Sequence, residues 1–257
     1  MIIGISGYVG NRLTGIGRVL INILSELAKQ YPEDKYVLFR NFDFKEYDNL
    51  TQYQNIEIVD VPYTKESGLK NILWHQWLFQ KLLKKYKCDI AYIPNFTLLL
   101  WKTIPTIVTI HDLIEYNVPD KFSKARMFYR KQVCDPLMAK KSNHILTVSK
   151  SSYKDIISYL GVKPSKLTLT LNATDRNVFK KYSKEKIIPA IKKYNLEYKK
   201  YLLFVGTIDF PGKNIKTIIE AFFNLRSKNE LNGIKLVIIG KNLSLIHISE
   251  PTRLLSI

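Results

Sequence analysis

Short β-rich runs alternate with amphipathic stretches along nearly the whole chain, and this alternation limits the possible folds more than any other feature. Ile2–Ile5, Tyr36–Phe39, Ile56–Val61, Asp89–Ile93, Thr106–Ile110, His144–Val148 and Leu167–Leu171 read as strands. After the first strand, Val19, Leu20, Ile23, Leu24 and Leu27 form a 3.6-residue apolar stripe that stops at Pro32. Leu69–Tyr86 reads as a helix with Leu73, Trp74, Trp77, Leu78 and Leu82 on one side, and Lys124–Ala139 as another. Ser149 caps a helix running through Leu160, and Gly161 ends it. The segment between Asn41 and Asn55 is a polar, aromatic loop. Strands separated by helices can pair only in parallel, through crossovers, so the chain is expected to be α/β, built of βαβ units.

The alternation pauses and then restarts. Lys180–Lys200 is Lys-rich, with room for a linker and a short helix. Tyr201–Val205, a helix over Asn214–Leu225 and Lys235–Ile239 then repeat the strand–helix–strand pattern. The expected division is a Rossmann-like domain over 1–178, a linker over 179–200, and the start of a second such domain over 201–242. At 257 residues the chain can bury two modest cores, and its 46% apolar content excludes a disordered chain.

The chemistry concentrates where strands end. Thr106-Ile107-Val108-Thr109-Ile110 runs straight into His111-Asp112, and open α/β sheets hold their ligands beyond the carboxyl ends of their strands. His111 is either a hydrogen-bonded core histidine or a ligand-facing one, and Asp112 either caps the next loop or faces the site. Residues 7–17 form a glycine-rich loop opening a helix, where backbone N–H groups and the helix dipole suit a phosphate. The loop does not match the dinucleotide fingerprint, and Arg40 stands after the second strand where an NAD enzyme would favour an acid. A plain strand-to-helix turn is the alternative.

The net charge of +18, from 40 basic and 22 acidic residues, suits an anionic partner or reflects a Lys-rich surface. No nucleic-acid motif is present, and aromatics are not interleaved with the basic clusters, so nucleic acid is not an expected partner. Trp74 and Trp77, among Lys70, Lys81, Lys84, Lys85 and Lys87, either make an interfacial helix on anionic lipid or pack inside an ordinary Rossmann helix. Lys124, Arg126, Arg130 and Lys131 either line an acceptor groove or form a solvated face. Cys88 and Cys134 sit among apolar neighbours, which suits buried thiols and a cytoplasmic setting. No apolar run reaches the length that spans a bilayer.

Four stretches, in this order, resemble glycosyltransferase family 4, the retaining nucleotide-sugar enzymes of GT-B fold. They are Thr14-Gly15-Ile16-Gly17-Arg18; Val108 to Leu113 with Val118-Pro119-Asp120-Lys121-Phe122; Leu146 to Ser152 with Leu160-Gly161-Val162; and Leu203-Phe204-Val205-Gly206-Thr207-Ile208 with Lys213-Asn214 and Glu220-Ala221-Phe222. The resemblance implies two facing Rossmann-like domains, a nucleotide-sugar donor and a glycan or lipid-linked acceptor. Hexose transfer would proceed with no metal or other cofactor, in the cytoplasm or at the inner membrane face. It assigns His111 and Asp112 to the reacting centre, and Gly15, Gly17, Arg18, Gly206 and Lys213 to the donor and its phosphates. Three features depart from the family pattern. Asn172-Ala173 replaces an Asn-Gly step, Gly212 precedes Lys213 where an Arg-Lys pair is usual, and the paired-glutamate motif is missing before Asn242. A non-catalytic nucleotide- or membrane-binding module and a sugar-nucleotide epimerase remain as alternatives.

Residues 243–257 are set apart. Leu243-Ser244-Leu245-Ile246-His247-Ile248-Ser249-Glu250-Pro251-Thr252-Arg253 matches, in one frame, the translation of a transposase-type sequencing adapter. The natural product is therefore expected to continue past Asn242, the present chain to be an inactive fragment, and His247 and Glu250 to carry no function.

Overall fold

The structure is a computed structural model. It describes residues 1–8, 13–61, 68–95, 97–118, 121–174, 176, 178–208 and 213–240. The chain divides into two compact units, Met1–Ala173 and Thr174–Ile257.

The first unit is built on a seven-stranded sheet. Its strands are β1 (Ile2–Gly7), β2 (Lys35–Arg40), β3 (Ile56–Asp60), β4 (Ile90–Ile93), β5 (Thr106–Thr109), β6 (His144–Thr147) and β7 (Leu167–Leu169), in the order β3-β2-β1-β4-β5-β6-β7. Every pairing is parallel. The α/β reading is thus borne out strand by strand. The direction of strand addition reverses between β1 and β4, and a crevice opens at such a switch point beyond the carboxyl ends.

Alternation along the strands sends side chains to two cores. On β2, Tyr36 and Leu38 join Ile5 of β1 against Leu20, Ile21, Leu24 and Ala28 of α1 (Gly15–Gln30). Val37 and Phe39 point the other way, with Trp74, Phe79 and Leu83 of the helix over 68–85, called α2. The loop after β2 also supplies core, because a 3₁₀ turn over Lys45–Leu50 buries Tyr47 and Leu50 beside α1. Arg40, at the end of β2, is held by Asp60 at 2.7 Å and Asp43 at 2.6 Å.

Two helices depart from the expected regularity. In α2 a π-helical turn spans Trp74–Leu78. It breaks the expected stripe: Trp74 is fully buried while Trp77 is 57% exposed. The helix over 124–141 carries a second π turn at Tyr129–Cys134. A single unexpected turn, α3 (Ile114–Asn117), stands between them, so the 124–141 helix is α4. α5 (Lys150–Leu160) follows β6, with Ser149 Oγ accepting from Ser152 N at 3.0 Å and Gly161 at φ 62°, the ends expected of it.

The second unit contains α6 (Lys184–Lys192), the parallel pair β8 (Tyr201–Val205) and β9 (Lys235–Ile239), and α7 (Ile215–Ser227) between them. Gly206 and Gly240 close the carboxyl ends of this pair. A Cβ on Gly240 would collide with the Gly206 carbonyl, so these backbones meet only because Gly240 has no side chain.

Candidate active site

The carboxyl ends of β1, β4 and β5 are tied together by short hydrogen bonds. Asn95, two residues past β4, donates from Nδ2 to the Tyr8 carbonyl at 2.9 Å. His111, two residues past β5, bonds through Nε2 to the Pro94 carbonyl at 2.9 Å. A carbonyl only accepts, so Nε2 carries the proton and a neutral ring keeps Nδ1 as an acceptor. The backbone under this histidine is fixed from β6 and α5: Thr147 Oγ1 donates to the Ile110 carbonyl at 2.8 Å, and Ser152 Oγ to the His111 carbonyl at 2.8 Å. His111 is half-buried, so one ring edge is anchored while the residue stays reachable. This arrangement can accept a hydrogen bond from a hydroxyl, or hold positive charge as it develops.

Asp112 is exposed, and its Oδ1 accepts from Ile114 N at 3.3 Å. It caps α3, the structural alternative raised for it, and its second oxygen remains on an exposed side chain. Asn95 was missed by motif reading. Its Oδ1 is buried without a partner among the described residues, an acceptor at the switch point. Pro94-Asn95 closing a strand was the available signal.

The α1 terminus presents Gly15, Ile16 and Gly17 with no side-chain cap on Thr14 and no acid in the first turn. Among the described residues, Thr14 and the first turn thus leave its leading N–H groups without a local side-chain acceptor. Gly15 has open space where a Cβ would stand, Gly17 is buried, and Arg18 is exposed. Val9 to Arg12 of the preceding loop lie outside the described residues. In the second unit Gly206 ends β8, and Lys213 is exposed just before α7, whose cap residue Asn214 is left-handed at φ 48°. The expected site residues therefore fall into two groups. Gly15, Gly17, Arg18, His111 and Asp112 share the first unit, and Gly206 and Lys213 the second.

A buried polar layer supports the first group from beneath. Ser6 Oγ bonds to His75 Nε2 at 2.9 Å, and His75 Nδ1 lies 2.9 Å from the Asn71 carbonyl. Nδ1 must donate to that carbonyl, so Nε2 accepts from the serine. Burial pulls the His75 pKa down to about 4, which keeps the ring neutral. Gln76 Oε1 accepts from Leu100 N and Trp101 N, and Gln80 Oε1 from Thr103, fastening the loop between β4 and β5. Beside Asp112, Glu115 is wholly buried and receives Arg130 Nε at 2.7 Å. Burial, then Glu115, push the Asp135 carboxyl well above the carboxylate range. Among the described residues no cluster of three or more His, Cys, Asp or Glu side chains could hold a metal ion.

Comparison with known proteins agrees with this architecture. The profile of Glycosyltransferase Family 4 matches residues 13–178. The O-antigen chain mannosyltransferase B of Escherichia coli is 27% identical over 223 residues, covering 82% of this chain and 56% of that protein. Among solved structures, WaaG, a glycosyltransferase involved in lipopolysaccharide biosynthesis, superimposes with a TM-score of 0.66 at 14% identity, over 93% of this chain and 64% of that one. HepE of Anabaena, solved with UDP and glucose, gives 0.61 at 16% identity, over 94% and 61%. The fold is that of GT-B glycosyltransferases. The chain spans a little over half the length of its curated relative. Because the family profile takes in more than half of the residues here, including the α1 terminus and the His111 strand end, the chain belongs to glycosyltransferase family 4.

Proposed function

We propose that this chain is the acceptor-side portion of an enzyme that transfers a hexose from a nucleotide sugar to a glycan or lipid-linked acceptor. The observation that carries this reading is the anchored, half-buried His111 at the carboxyl edge of a family 4 sheet. The name of the Escherichia coli relative favours a surface-polysaccharide acceptor. In this reading His111 Nδ1 and Asn95 Oδ1 accept from sugar hydroxyls and orient the ring. The α1 terminus and Arg18 of the first unit suit a phosphate of the donor, and Lys213 of the second unit is a cation suited to the same chemistry. Transfer retains anomeric configuration by front-face attack, the leaving diphosphate taking the acceptor proton, and the protein contributes position and fixed charge rather than a nucleophile. In this reading transfer needs no metal or other cofactor, since the sequence carries no Asp-x-Asp motif.

The reaction takes place on the cytoplasmic side, with the protein resting on an anionic membrane. No described helix is long and apolar enough to cross a bilayer. Trp77 and Trp101, however, stand exposed edge to face with centroids 5.3 Å apart, beside exposed Leu73 and Leu100. Product analysis tests the transferase reading. A chain carrying a complete second unit should release nucleoside diphosphate and a glycosylated acceptor from a nucleotide sugar, with the anomeric configuration of the donor. An epimerised sugar nucleotide, or no turnover with any acceptor, would overturn it in favour of the epimerase or binding-module alternatives.

A further inference from the structure

Phe122 carries two guanidinium groups. Arg126 Cζ lies 4.1 Å and Arg130 Cζ 5.3 Å from its ring centroid. The two arginines are one turn apart on α4, and bringing like charges to one ring is unfavourable unless something offsets it. Glu115 bonds directly to only one of them, receiving Arg130 Nε at 2.7 Å. Asp135 adds no second negative charge, because its carboxyl is held in the protonated form against Glu115. Arg126 itself is exposed and makes no ion pair among the described residues. Burial, then Arg130, lower its pKa, and outweigh the opposing pull of Glu115. A guanidinium stacked flat on a ring keeps its N–H edge available for two parallel bonds to an oxyanion.

The place of this surplus charge matters. Arg130 is fastened to α3, α3 is capped by Asp112, and Asp112 follows His111. The arginine pair is thus linked through two short contacts to the strand end that carries the candidate histidine. In the transferase reading the α1 terminus and Arg18 are the groups of this unit proposed for the donor's phosphates. We propose that Arg126, seated on Phe122 beside Arg130, binds an oxyanion, a phosphate or carboxylate, carried by the acceptor substrate. This rests on the transferase reading for the word acceptor; the anion site itself stands on the geometry.

Arginine modification by phenylglyoxal, mapped by peptide mass spectrometry, tests it in the chain as it stands. Inorganic phosphate should slow modification of Arg126 roughly threefold once it reaches about twice its dissociation constant. Arg176 and Arg226, exposed in the second unit, should react at unchanged rates and serve as internal standards. Phe122→Leu removes the stacking surface and should abolish the protection while the far-ultraviolet circular dichroism stays the same. Equal Arg126 rates with and without phosphate would overturn the site. So would protection by phosphatidylglycerol vesicles alone, which would make Arg126 a bilayer contact. Stronger protection by uridine diphosphate than by phosphate would assign the anion to the donor and overturn the acceptor assignment. Protection needs no turnover, so a chain carrying a complete second unit that protects Arg126 yet transfers no sugar would sink the transferase reading and leave the anion site intact.

Discussion

His75 and Asp135 both sit inside the first unit, and burial moves their titrations in opposite directions. The His75 pKa falls from 6.5 to about 4, so as pH drops the unfolded chain takes up that proton first. Its contribution to stability is present above about pH 6.5 and is lost towards pH 4. Asp135 titrates the other way: its pKa rises from 3.8, so the folded state holds a proton the unfolded chain has already released. That contribution is present below the unfolded pKa and is lost as pH rises through the raised one. The two slopes oppose each other in mild acid, and Asp135 acts alone above about pH 6.5. Asparagine keeps a donor towards Glu115 and cannot ionise. Asp135→Asn should therefore lose roughly 2 kcal/mol less unfolding free energy than the parent between pH 6.5 and 8.5. Parallel denaturation curves across that range would contradict the shared-proton account. Gly4 offers a steric counterpart. A Cβ there would run into Leu83 Cδ2 and come within 2.8 Å of Cys88 Sγ, both buried beneath β1. Gly4→Ala should cost about 1–3 kcal/mol, read from the denaturant midpoint. Neither effect could be read from the chain alone, because Glu115 and Asp135 stand twenty residues apart and Gly4 meets Leu83 only after the sheet has formed.

At the level of elements, the strands and the main helices were legible wherever a single period governs the side chains. β1 to β9 fall where β-branched and apolar runs predict them, and α5 begins at Ser149 and ends at Gly161 as its capping residues dictate. The misreadings come from local changes of period. A 3.6-residue wheel places Trp74 and Trp77 on one stripe, whereas the π turn over Trp74–Leu78 rotates Trp77 outward. The 3₁₀ turn that buries Tyr47 lies in a segment too polar to resemble core. α3 has only four residues, fewer than periodicity can detect. The π turn brings the outward Trp77 beside exposed Lys81 and Lys84, and Trp101 packs edge-on against it from the β4–β5 loop. Aromatic rings beside lysines suit the headgroup region of an anionic bilayer. Trp77→Ser combined with Trp101→Ser alters two side chains that are 57% and 40% exposed, outside the buried core, so the fold should survive. Cosedimentation with phosphatidylglycerol vesicles should then fall at least about tenfold, with little change on neutral phosphatidylcholine. Equal cosedimentation of the double variant would remove the membrane-facing role from this pair.

Across the whole molecule, the two units differ in how well they cover their sheets. The first buries both faces of its central strands: Ile5, Leu38, Val108 and Ile145 are essentially inaccessible. In the second, Leu202, Leu203 and Val205 of β8 are 48%, 51% and 68% exposed, and Ile239 of β9 is also open. Parallel sheets are ordinarily covered on both faces, and two strands alone are marginal in water. Of the candidate site, the His111 strand end and the α1 terminus were legible because strand ends and glycine-rich turns carry local signatures. The Ser6–His75 pair and Asn95 were not, since Ser6 stands in β1, His75 in α2 and Asn95 after β4, and only the fold brings them to their partners. The imbalance between the units has a functional consequence. Gly206 and Lys213, the residues assigned to the donor, stand on the poorly covered unit, so any donor pocket there lacks a rigid wall. Amides of β4, β5 and β6 should exchange with solvent slower by several orders of magnitude than those of β8 and β9, because local opening of an uncovered pair is nearly free. Calorimetric titration of this chain with a nucleotide sugar should accordingly show weak or no heat. Tight, saturable binding together with protected β8 amides would mean that the second unit is already organised to hold a nucleotide sugar.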